Sequence, residues 1–280
     1  MINPVDISST SKPPPPRRQL RPPVQPAAAV WTQPMPVSRE EQTAFFKREG
    51  FLVLPGVLDR AALAELDKEI QRFIAEHDTL PRLRDGVEME KRADPRRRSP
   101  VFRKIGGISS FSEPFDRLMR HPRIVEALHA VMGPTIQMYR DVLMMKPARV
   151  GREKPWHQDS VYWPWEPMDM VSAMTALDDA LPENGCLQVI PRTHLALVQH
   201  FGKELQVEID AAMQARTRYV PLRAGDTLLF HSLLLHASEP NHSDFDRRVC
   251  IFSYKTPQLR YIGRPEGAPH ATSILVHEAR

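Results

Sequence analysis

Between residues 135 and 256 the chain never sustains the three-to-four residue apolar period of a helix. It breaks into short apolar runs at 136–145, 171–177, 187–190, 219–222, 227–230 and 249–254. Turn clusters such as Pro182-Glu183-Asn184-Gly185 and Arg223-Ala224-Gly225-Asp226 separate them. Many short strands in one domain-sized block close their sheet edges most simply as a barrel or jelly roll. The expected class is therefore mainly β, with the helices of the N-terminal third packed on one outer face.

That third begins with a tail. Ten of the 28 prolines fall in residues 1–36, around Pro13-Pro14-Pro15-Pro16-Arg17-Arg18. Such a stretch buries too little apolar surface to offset its ordering entropy, so 1–36 is expected to be a disordered leader. It carries Lys12, Arg17, Arg18 and Arg21 against Asp6, which accounts for +3 of the chain's +4. The remaining 244 residues are then nearly neutral, which argues against a nucleic-acid partner. No run is long and apolar enough for a transmembrane helix. With Cys186 and Cys250 as the only cysteines there is no disulfide framework, and a cytoplasmic location is expected.

Residues 37–280 then read as one domain, with a helical part at 38–134 and a β core at 135–256. Ser38 and Glu41 have capping-box spacing for a helix to about Lys47. Phe51-Leu52-Val53-Leu54 is a strand stopped by Pro55-Gly56. Asp59 caps a helix whose apolar positions are Leu63, Leu66, Ile70 and Ile74. Residues 78–100 lose periodicity and read as a long loop, and a third helix runs from about Pro122 to Met132.

The sharpest chemical feature is Trp156-His157-Gln158-Asp159. Residues i and i+2 of extended chain face the same side, so His157 and Asp159 can converge on one metal. Two imidazoles and one carboxylate make the facial triad of non-heme Fe(II) oxygenases, so a second histidine is needed. Of the eleven histidines, His231 and His236 follow the strand opened by Gly225-Asp226. They are five residues apart and would face opposite ways on one strand, so only one can be the ligand. Arg247-Arg248 enter the last strand, and an arginine buried at a barrel mouth needs an anion.

The block from His157-Gln158-Asp159 through Glu183-Asn184-Gly185-Cys186-Leu187 and Pro191-Arg192-Thr193-His194 to His236-x-Ser238, Asn241-x-Ser243 and Arg247 resembles the phytanoyl-CoA dioxygenase family. The likeness covers roughly residues 40–256. It implies a double-stranded β-helix and an Fe(II)- and 2-oxoglutarate-dependent dioxygenase, with ascorbate as an added reductant. By the resemblance, His157, Asp159 and His236 are the metal ligands and the catalytic set. Arg247, eleven residues after the distal histidine, is the 2-oxoglutarate arginine, joined by Ser238, Lys104 and Gln158. The implied reaction uses dioxygen to hydroxylate an unactivated C–H bond of a small-molecule substrate, a secondary metabolite or acyl-CoA, and releases succinate and CO2. Two departures bear on the pocket: Pro191-Arg192-Thr193-His194 stands where members often carry Pro-Gly-Ser-His, and Met174 where many carry tryptophan.

Tyr162, Trp163 and Trp165 crowd beside the metal motif, either as barrel-edge cover or as a substrate wall; the second reading makes them substrate contacts. Lys146 is a strand-end cation or a pocket group. Residues 82–104 carry nine Lys/Arg against four acids, as a solvated loop or a lid for an anionic substrate. Three rivals remain: a zinc hydrolase, which leaves Arg247 without a role, a halogenase, which Asp159 disfavours, and a non-catalytic cupin-like metal-binding module. A 2-oxoglutarate-dependent desaturase or cyclase would share every motif.

Overall fold

Helix formation at the N-terminus follows the local chemistry. Ser38 Oγ accepts from Glu41 N and the Glu41 carboxylate accepts from Ser38 N, both at 3.3 Å, so the capping box opens Arg39–Glu49. Gly50 ends that helix in the left-handed region at φ 85°, and a Cβ there would lie 2.5 Å from His194 Nδ1. Asp59 Oδ1 accepts from Ala62 N at 2.9 Å ahead of Arg60–Glu76, which buries Leu66, Ile70 and Phe73. Pro122–Met132 forms as expected, preceded by the short helix Glu113–Met119.

The computed structural model describes residues 29–76, 86–90, 101–263 and 274–278. On it the apolar runs pair into two sheets. The larger has the order Phe51–Leu54, Thr227–His231, Val171–Ala176, Arg247–Lys255, Thr135–Lys146, Phe102–Gly106, Val87–Met89, with Ile274–Glu278 also on Thr135–Lys146. The smaller runs Ala29–Val30, Arg218–Val220, Leu187–Val189, His236–Ser238, Lys154–His157. From Thr135 onward the chain passes back and forth between the sheets, the winding of a jelly roll. A single apolar cluster joins the helices to the larger sheet through Phe51, Ile70, Phe115, Leu128 and Phe252, all fully buried.

Three sequence expectations need correction. Order begins before Ser38: Ala29–Val30 pairs in parallel with Arg218–Val220, and Trp31 packs edge-on against Phe51 at 5.0 Å and Phe45 at 5.8 Å. A two-residue strand has no periodicity to read, and its anchor is an aromatic cluster assembled from distant chain. Residues 1–28 of the expected leader lie outside the described residues. The expected loop at 78–100 contains the strand Val87–Met89, paired with Phe102–Gly106. The remainder of that segment, Arg96, Arg97 and Arg98 included, lies outside the described residues. The β structure also continues past 256, through Arg260–Tyr261 and Ile274–Glu278.

Candidate active site

Register sets the metal centre. Lys154–His157 runs antiparallel to His236–Ser238 and places His236 directly opposite His157, with ring centroids 4.1 Å apart. Each ring bonds the carbonyl two residues before it: His157 Nδ1 to Pro155 O at 2.8 Å, and His236 Nδ1 to Leu234 O at 2.9 Å. A carbonyl only accepts, so the proton is on Nδ1 and each Nε2 offers a lone pair. Gln158 is extended and carries Asp159 to the same side, at the start of the 3-10 turn Asp159–Tyr162. Asp159 Oδ1 is 3.5 Å from His157 Nε2 and 3.8 Å from His236 Nε2. The three donor atoms lie within 4.8 Å of one another, and among the described residues no other such group of His, Cys, Asp or Glu occurs.

Burial, then the neighbouring His157, pushes the His236 imidazole down to about 4. Burial alone would raise the Asp159 carboxyl, but His236 and His157 outweigh it and hold the carboxyl below its ordinary range. The set is thus two neutral rings and one carboxylate, two N donors and one O donor of the kind that suits a divalent iron. His231 is engaged elsewhere. Its Nδ1 accepts from Leu233 N at 3.0 Å, and its Nε2 faces Asp169 Oδ1 at 3.2 Å.

The triad opens on a cavity of about 490 Å³. Its floor is alternate residues of two neighbouring strands: Arg140, Val142, Met144 and Lys146 from one, Arg247, Val249, Ile251 and Ser253 from the other. Arg247 is buried; its Nη2 donates to Gly185 O at 2.9 Å while its Nε is buried with no acceptor. Burial pushes this guanidinium down to about 10. A buried guanidinium with an unmet N–H calls for a carboxylate. Ser238 and Lys104 line the same cavity. Arg248 points the other way and grips Asp178 at 2.8 Å and Asp67 at 2.5 Å.

Lys146 is resolved as a structural cation. Its ammonium donates to the carbonyls of Arg152 at 2.8 Å, Ser238 at 3.3 Å, and Glu239. Burial, then Arg247, lowers it to about 6. Gly185 makes this approach possible, since a Cβ there would lie 2.2 Å from Glu239 O. Asn241 Nδ2 ties Lys146 O and Phe245 O at 2.8 and 2.7 Å, so the Asn241-x-Ser243 motif staples the turn leading to Arg247.

Two expected contacts are corrected. Gln158 does not line the cavity. Chain alternation turns it to the opposite face, where it is fully buried; its amide donates to Leu233 O at 2.6 Å and Ala196 O at 2.8 Å and accepts from Val198 N at 2.9 Å. Its backbone N–H donates to His200 Nε2 at 3.2 Å. Gln158→Leu is therefore expected to destabilise the fold by about 2–4 kcal/mol through stranded buried backbone groups, read as a lower denaturation midpoint. A shift in 2-oxoglutarate KM at unchanged stability would restore it as a cosubstrate contact. Trp165 is likewise no part of the cavity wall. It packs with Tyr139 and Tyr261 and sits under the Lys255 ammonium at 4.3 Å, because the chain turns through Pro164 between it and Trp163.

Tyr162 and Trp163 do line the cavity. So do four residues that the sequence reading did not single out as contacts: Arg103, Arg140, Lys154 and Met174. Arg140 and Met174 sit at inward positions of their strands, a signal visible only once strand register is known.

A family model, phytanoyl-CoA dioxygenase (PhyH), matches residues 46–249. The chain is 28% identical over 242 residues to peroxisomal phytanoyl-CoA dioxygenase of Rattus norvegicus, covering 79% of this chain and 70% of that one. It is 27% identical over 235 residues to L-proline trans-4-hydroxylase of Streptomyces griseoviridis, covering 75% and 83%. The crystal structure of EctD from S. alaskensis with 2-oxoglutarate and 5-hydroxyectoine superposes with a TM-score of 0.69 at 25% identity, covering 92% of each chain.

Proposed function

Because the chain belongs to the phytanoyl-CoA dioxygenase (PhyH) family, whose members are Fe(II)- and 2-oxoglutarate-dependent oxygenases, we propose that His157, Asp159 and His236 hold its iron. Arg247 receives the C5 carboxylate of 2-oxoglutarate, with Ser238 and Lys104 beside it. The protein is a dioxygenase that oxidises a C–H bond of a small organic substrate, with hydroxylation as the outcome and succinate and CO2 as co-products. The observation that carries the reading is the convergence of both Nε2 atoms and Asp159 Oδ1 on a cavity that also holds Arg247 with an unmet N–H.

Bound there, the metal supplies the oxidative chemistry, which no side chain can. The chain's own part is positional. Pro155 O and Leu234 O fix the tautomer and direction of the two rings. Arg247 orients a diacid from one end, and Val142, Met144, Val249 and Ile251 keep water off the floor between. Tyr162 and Trp163 form an apolar wall for the substrate. Relatives named for an acyl-CoA and for an amino acid are at nearly the same identity, so substrate choice rests on this cavity's own residues. Among the described residues no helix is long and apolar enough to cross a membrane. A cytoplasmic location belongs to the proposal, supported by two buried free cysteines.

Purified protein given Fe(II), ascorbate and 2-oxoglutarate in air is expected to release succinate, and a chelator to stop it. Binding of metal and 2-oxoglutarate without succinate, alone or with candidate small molecules, would return the non-catalytic module. Once a substrate is found, gain of an oxygen in the product supports hydroxylation, and loss of hydrogen supports desaturation or cyclisation. Chloride is expected to leave the product unchanged, since Asp159 occupies the position a halide needs.

A further inference from the structure

The cavity floor has two cationic ends. Arg247 lies beside Lys146 at one end, and Arg140 lies beside Ser253 at the other. Six steps of extended chain separate Arg247 from Ser253, roughly 20 Å at about 3.3 Å per residue. A five-carbon diacid anchored on Arg247 leaves the Arg140 end for something else. Lys154 also lines this cavity, from the opposite sheet, three residues before His157. Its ammonium donates to Tyr162 Oη at 3.2 Å and lies 4.9 Å from the centre of that ring. Tyr162 Oη in turn donates to Glu204 O at 2.5 Å, so the ring and the ammonium are held in place.

The acids of the cavity wall do not offset this pair. Glu88 faces Arg103 at 3.3 Å and Arg152 at 3.5 Å, and is matched at the rim. Glu153 and Glu204 are exposed, whereas Arg140 and Lys154 are half-buried. A half-buried pair of cations beside aromatic walls favours an oxyanion over a neutral group.

We propose that Arg140 and Lys154 form an anion-binding end of the substrate cavity, so that the oxidised molecule is a small acid whose carboxylate meets this pair while Tyr162 and Trp163 flank its apolar body. This rests on the iron and 2-oxoglutarate reading above, which gives Arg247 to the cosubstrate. The carboxylate end then fixes which carbon of the substrate comes to the metal, so the pair determines both substrate class and site of oxidation.

The test uses Ni(II) in place of iron, so that binding is read without turnover. Protein saturated with Ni(II) and 2-oxoglutarate is titrated calorimetrically with a panel of linear and cyclic monocarboxylic acids, each matched by its primary amide. Acids are expected to bind at least about tenfold tighter than their amides, the scale of one charge-assisted hydrogen bond. Arg140→Gln and Lys154→Gln should each shrink that preference toward unity, and Arg140→Lys, which keeps the charge, should retain most of it and serves as the folding control. Failure of the unaltered protein to take up Ni(II) and 2-oxoglutarate would remove the functional reading and this one with it. Uptake of both, with acids and amides bound alike, with no acid bound, or with a preference that survives both Gln variants, overturns the anion end alone. Binding of coenzyme A without binding of the acids would assign the cations to a phosphate and likewise overturn the small-acid assignment.

Discussion

Asp159→Ala is expected to lose succinate formation altogether and to lower metal affinity by more than about 100-fold. Loss of a group that merely supports a ligand already costs about 10–100-fold, and this substitution removes the only anionic donor of the set. His157→Ala and His236→Ala should match it, because the two rings are direct cross-strand neighbours and neither has a substitute within reach. His231→Ala should leave a folded protein with measurable activity, since that ring bonds Leu233 N and Asp169 and not the cavity. Metal content after dialysis, measured beside succinate release, checks all four. A metal-free, inactive His231→Ala protein together with an active His236→Ala protein would exchange the distal ligand.

Arg247→Lys is expected to raise the 2-oxoglutarate KM by about 30-fold, the equivalent of roughly 2 kcal/mol for a planar two-point contact that an ammonium does not reproduce. Its surroundings sharpen the effect. The guanidinium is buried and bonded only through Nη2 to Gly185 O, so its remaining N–H groups have the cosubstrate as their partner. Arg248→Lys should behave differently. Arg248 spends its guanidinium on Asp178 and Asp67, so its loss should lower the melting temperature and leave the KM in place. Equal KM effects from the two substitutions would withdraw the assignment of Arg247.

What could be read from sequence alone was whatever is encoded in neighbours along the chain. Ser38 with Glu41 and Asp59 with Ala62 cap helices through contacts three residues apart, and these hold. The His157-x-Asp159 pair works because Gln158 is extended, a local property. Gln158 shows the limit of reading by adjacency: lying between two ligands places it on the opposite face, tied to Ala196, Val198 and Leu233. Val87–Met89 escaped notice because its company is electrostatic. Arg103 and Arg152 pair with Glu88 and Glu90, so a segment of high charge forms a strand without apolar alternation. Arg140 was hidden for another reason. It becomes a cavity residue only when Arg247–Lys255 aligns beside Thr135–Lys146, and no local pattern announces that alignment.

The pairing of Phe51–Leu54 with Thr227–His231 bears on how the molecule is made. Nearby, Gly56 N donates to Asp226 Oδ1 across a separation of 170 residues, and Ala29–Val30 waits on Arg218–Val220 in the same way. At synthesis rates of about 5–20 residues per second, the first strands leave the ribosome roughly 10–30 s before their partners exist. The N-terminal third therefore has no sheet to join during most of translation. Closure of the jelly roll, and with it the meeting of His157 and His236, is an event of the nearly finished chain, so a ribosome that stalls before His236 yields a nascent chain without a metal site.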